Sequence, residues 1–311
     1  MCVFKQNKKG IKINMRIEKI YFRTIDGLEL TGLLHTSEDK EEKDVIISVH
    51  GMGSNCLKKR DDVIARKVTA NNISYFTFNN RGQGLMNSVR TNKGKINQGT
   101  IFEDVTDCYY DITAAIKTLT EMGYKKIHLM GHSLGSTKVI YTYNKILSNS
   151  DDKILQNIKS IILLSLVDLS NVMDMLNKCN PNLDIVSLAT QKEQKGEQNY
   201  IIETGAAFMP YVSVKTFLRY YKYNKEIDFV KYTTKDFEFN EINNIKVPLF
   251  MRWGNNKELI SIPAEEVVKV CNEKIQNDKK DIGFINGATH NYSGVEEILA
   301  DEIYSFVSQT L

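Results

Sequence analysis

The chain has 311 residues, 42% hydrophobic and 25% charged, a balance that allows a large buried core in one big domain or two modest ones. Its net charge of +3 comes from 41 basic and 38 acidic residues interleaved along the chain, which argues against a nucleic-acid-binding surface. Five scattered cysteines without C-x-x-C spacing argue against a disulfide framework or a zinc site, and no apolar run approaches the length of a membrane span, so a cytoplasmic protein without a metal is expected.

Residues 1–15 are basic, lack the apolar stretch of a signal peptide and read as a flexible extension. Residues 17–23 and 28–34 alternate around Asp26-Gly27, a hairpin signal that predicts an antiparallel edge. The β-branched run 45–49 predicts a buried strand that ends in the loop His50, Gly51, Met52, Gly53. Leu57, Ile64 and Val68 share one face of a helix over 57–70. Residues 73–78 read as a strand leading to Arg81, Gly82, Gln83, Gly84, and the spacing of Val105, Cys108, Ile112, Ile116 and Leu119 predicts a second helix.

The apolar strand 126–130 runs into Gly131, His132, Ser133, Leu134, Gly135, after which Val139, Ile140, Tyr143 and Ile146 recur at helical spacing. Strand, tight turn and helix meet at one serine. A nucleophile held at such a turn has strained backbone angles, and side chains two residues either side would collide with the adjoining strand and helix, which explains both glycines. The hydroxyl then sits at a helix N-terminus, where the macrodipole and free N–H groups favour developing negative charge. The bland alternative is a glycine-rich connection with an incidental serine. A phosphate loop does not fit, because Ser136 stands where G-x-x-x-x-G-K needs its second glycine.

Residues 159–167 form the next expected strand, and then the alternation of strands and helices breaks for about 75 residues. The stretch 171–244 is locally helical, polar as a loop around 191–198, and dense in aromatics such as Phe208, Phe217, Tyr220 and Tyr232, for which packing is the plain reading. Alternation resumes with a strand over 247–253, a helix over 263–275, a strand over 281–285 and a helix over 295–307. The pattern predicts a mostly parallel sheet covered by helices on both faces.

Ligands of such sheets bind beyond the carboxyl ends of the strands. There the sequence places His50 to Gly53, Ser133, residues 254–260 and the loop Gly287, Ala288, Thr289, His290, Asn291, which together are parts for acyl transfer. From about residue 16 onward the chain resembles the α/β-hydrolase superfamily. The nucleophile elbow matches Gly131 to Gly135, the H-G pair matches His50-Gly51, the R-G-x-G turn matches Arg81 to Gly84, and the histidine loop before the last helix matches His290.

The resemblance implies an α/β-hydrolase core over 16–170 and 245–311, with a helical cap over 171–244 inserted after the sixth strand. It implies that Ser133 attacks an ester carbonyl, that His290 takes and returns the proton, and that the N–H groups of Met52 and Leu134 hold the oxyanion. Gly51, Gly53, Gly131 and Gly135 support these loops, and His50 and His132 are neighbours that shape them. His35 and His128 lie in strands with no catalytic place.

The acid departs from the family pattern, because the aspartate slot of G-x-x-D after the strand 247–253 holds Lys257. Glu258, one residue later, is the nearest carboxylate; Asp168, just past the strand 159–167, is the alternative, with helix capping as its plain role. The expected activity is cofactor-free hydrolysis of a small or medium carboxylic ester, similar to capped carboxylesterases, feruloyl-esterase-like and monoacylglycerol-lipase-like enzymes. The expected partner is the small-molecule ester, and the chain a monomer or homodimer. A thioesterase or acyltransferase would use the same parts, and a non-catalytic member would use the pocket only to bind. Dehalogenases and epoxide hydrolases attack with an aspartate where this chain has Ser133.

Overall fold

Alternate residues of a strand face opposite sides of its sheet, so a run that is apolar throughout requires a cover on both faces. A computed structural model describes residues 15–37 and 43–310, and the expected extension 1–15, apart from Met15, lies outside them. The N-terminal half runs β1 (Met15–Arg23), β2 (Glu29–Ser37), β3 (Asp44–Val49), α1 (Lys59–Thr69), β4 (Ser74–Asn79), β5 (Asn87–Thr91), β6 (Gly94–Gln98), α2 (Cys108–Glu121), β7 (Lys126–His132), α3 (Leu134–Ser148), α4 (Asp152–Leu155) and β8 (Ile158–Leu164). It continues with α5 (Leu169–Cys179), α6 (Ile185–Gln194), β9 (Ile201–Glu203), β10 (Tyr211–Ser213), α7 (Val214–Tyr221), α8 (Asn240–Asn243), β11 (Leu249–Gly254), α9 (Ala264–Lys274), β12 (Lys280–Ile285) and α10 (Glu296–Ser308).

Eight strands form one sheet in the order β1-β2-β4-β3-β7-β8-β11-β12. The β1–β2 hairpin is antiparallel, as the Asp26-Gly27 turn predicts, and β3, β4, β7, β8, β11 and β12 run parallel. On one face Val45, Ile47, Leu129, Leu163 and Met251 pack with α2, α3 and α9; on the other Ile46, Met130, Ile162 and Phe250 pack with α1 and α10. Ile46 and Ile47 are both fully buried, and each contributes roughly 1.5–3 kcal/mol. From β3 the chain moves to β4 on one side and later returns to β7 on the other, so the loops that follow β3 and β7 meet at this reversal.

Two expectations need correction, and one element was not expected. The strand expected over 159–167 stops at Leu164, because Ser165 takes a φ of 48° and leaves the sheet. The polar stretch expected as a loop over 191–198 is helical through Gln194, since Asp184 caps α6 by accepting from Ser187 N. The β5–β6 hairpin had no hydrophobic signature to announce it: only Val89 of its residues is buried.

Between β8 and β11 lie α5 to α8 and the short β9–β10 pair. Much of this segment packs in an apolar cluster of its own, with Leu169, Leu176, Met209 and Phe217 against Leu134 of α3 and Val167. Its aromatics divide by position: Phe217 and Tyr220 are buried in that cluster, Phe229, Tyr232 and Phe239 in the main core, while Tyr211, Tyr221 and Tyr223 are exposed.

Candidate active site

Ser133 sits between β7 and α3 with φ 57° and ψ −127°, a conformation that serine rarely adopts and that surrounding bonds hold. Its N–H donates to Leu164 O and its C=O accepts from Ser136 N, both at 2.8 Å. A side chain at Gly135 would strike the Val49 carbonyl, so α3 reaches the sheet only through that glycine.

The loop after β3 lies directly on this turn: a Cβ on Gly51 would stand 2.8 Å from His132 O and 3.0 Å from the Ser133 Cβ. Gly53 N donates to Thr100 Oγ1 at 2.6 Å, which fixes the loop from beneath. His50 accepts from Asn80 N at Nε2, 3.1 Å away, and burial, with the charge of Lys138, pushes its pKa down to about 3. It is a neutral strut. Met52 and Leu134 line the same cavity as Ser133, and among the described residues neither amide is engaged by a loop or turn hydrogen bond. Arg81 stands outside the cavity, where it pairs with Asp111 at 2.7 Å and with Asp26 and Asp107 at 3.1 Å, tying the turn after β4 to the hairpin and α2.

Glu258 Oε1 is hydrogen-bonded to Nδ1 of His290. The loop that carries the glutamate is pinned to the histidine loop, because Asn256 N donates to Ala288 O at 2.9 Å and Gly287 N to Asn255 Oδ1 at 2.7 Å. Lys257, in the family's aspartate slot, takes a φ of 55° and turns the chain back, so that Glu258 comes round to receive the N–H groups of Gly254 and Leu259, both at 3.0 Å. Burial raises the Glu258 pKa, but the His290 bond and charge and these two amides outweigh it and hold the carboxyl below its ordinary value. With Nδ1 taken, Nε2 is the ring nitrogen of His290 left for a proton transfer.

Asp168 is elsewhere occupied. It caps α5, accepting from Asn171 N at 3.0 Å, burial raises its pKa, and it does not line the cavity. His132 donates from Nε2 to His290 O at 2.7 Å, its ring 5.0 Å from that of His290. Burial, then the charges of Arg60 and His290, hold its pKa well below 6.5, so it acts as a neutral donor that positions the histidine loop. His128 bonds Ser160 Oγ at 2.8 Å within the sheet, and His35 is buried in β2; neither lines the cavity.

Two further residues complete the acid's surroundings. Ser165 Oγ donates to Glu258 Oε2 at 2.8 Å and lies 3.0 Å from Tyr292 Oη, which itself donates to Arg252 O at 2.7 Å. Neither is marked in the sequence, because Ser165 lies inside the strand expected over 159–167 and Tyr292 follows His290 without a motif of its own. The signal available was a polar residue interrupting the apolar run 161–167 at its carboxyl end.

Ser133 and His290 face a cavity of about 300 Å³. Met52, Leu134, Val167, Leu169, Val172, Phe208 and Leu259 form apolar walls, while Ser54, Lys58 and Asn291 supply polar ones. The arrangement joins a strained serine, an imidazole oriented by a carboxylate, and loop amides beside one apolar pocket.

Residues 40–165 match the model of the family described as serine aminopeptidase, S33. No curated protein matches the chain. Among solved structures, a soluble variant of monoglyceride lipase from Saccharomyces cerevisiae in complex with a substrate analogue is similar with a TM-score of 0.65 at 14% identity, over 98% of this chain and 99% of that one. Est1E from Butyrivibrio proteoclasticus with ferulic acid bound is similar with a TM-score of 0.64 at 14% identity, over 93% and 98%. An esterase from Pyrococcus furiosus is similar with a TM-score of 0.59 at 16% identity, over 96% and 92%. At such identities these likenesses speak for the fold, which is the α/β-hydrolase fold.

Proposed function

We propose that this chain, a member of the α/β-hydrolase superfamily, is a serine hydrolase that cleaves a small or medium carboxylic ester through an acyl-enzyme. The observation that carries the reading is the Glu258–His290 hydrogen bond beside the strained Ser133 in one apolar cavity. In this reading Ser133 Oγ adds to the ester carbonyl while His290 Nε2 takes its proton, and the imidazolium is stabilised by Glu258. The carbonyl oxygen, now negative, is met by the N–H groups of Leu134 and Met52; each such donor accelerates turnover by about a hundredfold or more. His290 returns the proton to the leaving alcohol, and water, activated by the same imidazole, frees the acid and restores Ser133.

An ester suits the site better than an N-terminal peptide bond. An aminopeptidase must meet the α-ammonium of its substrate, for which a carboxylate is the natural partner. Among the described residues no Asp or Glu lines the cavity, whereas Lys58 does. The segment between β8 and β11 acts as the cap: through Val167, Leu169, Val172 and Phe208 it supplies an apolar wall suited to an acyl or aryl group. Such a wall suits a ligand like the ferulic acid bound to Est1E.

A fluorophosphonate probe tests the reading. Wild-type protein is expected to be labelled and Ser133→Ala not; equal labelling of both, or of neither, rejects it. Esters of p-nitrophenol with graded acyl length are expected to show a cut-off in kcat/KM set by the cavity wall, and a flat response rejects a closed acyl pocket.

A further inference from the structure

The cavity beside Ser133 is electrically one-sided. Among the described residues lining it, Lys58 carries the one permanent charge, and no carboxylate faces it. The acids near Lys58 are committed: Glu258 is turned behind His290, Asp168 caps α5, Asp61 pairs with Arg60 and accepts from Tyr75, and Asp62 pairs with Arg66.

Lys58 differs from the cations that follow it. Lys59 pairs with Glu296 at 2.9 Å and Arg60 with Asp61 at 3.1 Å, while Lys58 has no ion-pair partner among the described residues. It is the N-cap residue of α1, where its ammonium, having no acceptor, cannot cap the helix and adds its charge to the positive end. His50 and His132 are depressed first by burial, then by Lys138 and Arg60 respectively, and Lys58 is a further cause for both.

We infer that the substrate is an ester that also carries a carboxylate, with its apolar part against Val172 and Phe208 and its anionic end at Lys58. The inference rests on the serine-hydrolase reading and adds to it the charge of the substrate. A single ammonium without an arginine fork matches a group of one negative charge, which favours a carboxylate over a phosphate dianion. A partly exposed pair of this kind is worth at most about fivefold in specificity, and it weakens with salt.

The test compares monoethyl glutarate with its neutral amide isostere, ethyl 4-carbamoylbutanoate, in a pH-stat assay of the full chain. Wild-type protein is expected to favour the anionic ester by about two- to fivefold in kcat/KM, mainly through KM. Lys58→Arg is expected to keep the preference, Lys58→Gln to bring the ratio toward one, and Lys58→Glu to invert it. A wild-type ratio at or below one, or a ratio unchanged in Lys58→Gln, overturns the inference while leaving the hydrolase reading intact. Labelling of Ser133 without turnover of either ester also overturns the anionic assignment, and absence of both labelling and turnover overturns the hydrolase reading itself.

Discussion

Glu258 reaches Nδ1 of His290 from one residue beyond the position where the family pattern puts its acid. Lys257 makes this possible by its φ of 55°, and the extra methylene of glutamate over aspartate spans the remaining distance. Glu258→Gln is expected to lower kcat by about a thousandfold or more, because the amide favours the wrong tautomer of the imidazole and cannot stabilise its charged form. Asp168→Asn is expected to leave kcat within a few-fold and to lower Tm slightly, since an asparagine still caps α5. Steady-state kinetics and thermal melts of the two variants check this ranking. A larger loss in Asp168→Asn would move the acid to that residue.

Why the acid was hard to read, and the serine easy, follows from the range of the forces involved. The turn at Ser133 is specified locally: Gly131 must lack a side chain because the Gly135 carbonyl passes too close, and Gly135 because the Val49 carbonyl does, and that need shows in the sequence. The sheet was equally legible, because Val45 to Ile47 and Ile161 to Leu164 are apolar on both faces. The carboxylate's environment is assembled from Gly254, Ser165 and His290, which are far apart in sequence, so no local pattern records it. The β5–β6 hairpin was silent for another reason. It lies on the surface and pairs through its backbone, with little apolar alternation to betray it.

Stability should report the same glutamate. Its folded pKa lies below the ordinary value of 4.5, so it binds protons less readily folded than unfolded. The stabilisation is therefore fully present above about pH 4.5 and is lost as pH falls through the depressed folded value. Wild-type protein is expected to exceed Glu258→Gln in Tm at neutral pH, with the gap closing in that acid window. A gap that widens on acidification would show that the carboxylate is not held ionised by its neighbours.

Ser165 and Tyr292 hold the second oxygen of the carboxylate and the loop behind it. Removing a hydrogen bond to a charged group costs roughly 1.5–3 kcal/mol where nothing replaces it. Ser165→Ala is accordingly expected to lower kcat by about tenfold with KM little changed, and to shift the acid limb of the pH–rate profile upward as the carboxylate loses a donor. Tyr292→Phe, which keeps the ring and loses the Oη bond to Arg252 O at 2.7 Å, is expected to show a smaller version of the same split. If Ser165→Ala raised KM and left kcat and the profile unchanged, the serine would be only a packing element.

Behind the serine, α3 is anchored by a charge that water does not reach. Lys138 pairs with Glu103, both side chains fully buried, and also donates to Asn80 Oδ1 at 3.1 Å. Thr216 of α7 donates to the Glu103 carbonyl at 3.0 Å, so the pair joins the helix that begins at the elbow, the turn after β4 and the segment over the cavity. Truncating one member leaves the other charge buried without a partner, a cost of about 3–5 kcal/mol, whereas replacing both with apolar groups of similar volume is often neutral. Lys138→Met and Glu103→Leu are each expected to lower Tm sharply, and the double variant to regain much of the loss. Losses that add in the double variant, measured by denaturant melts, would mean that packing and not charge pairing holds α3 in place.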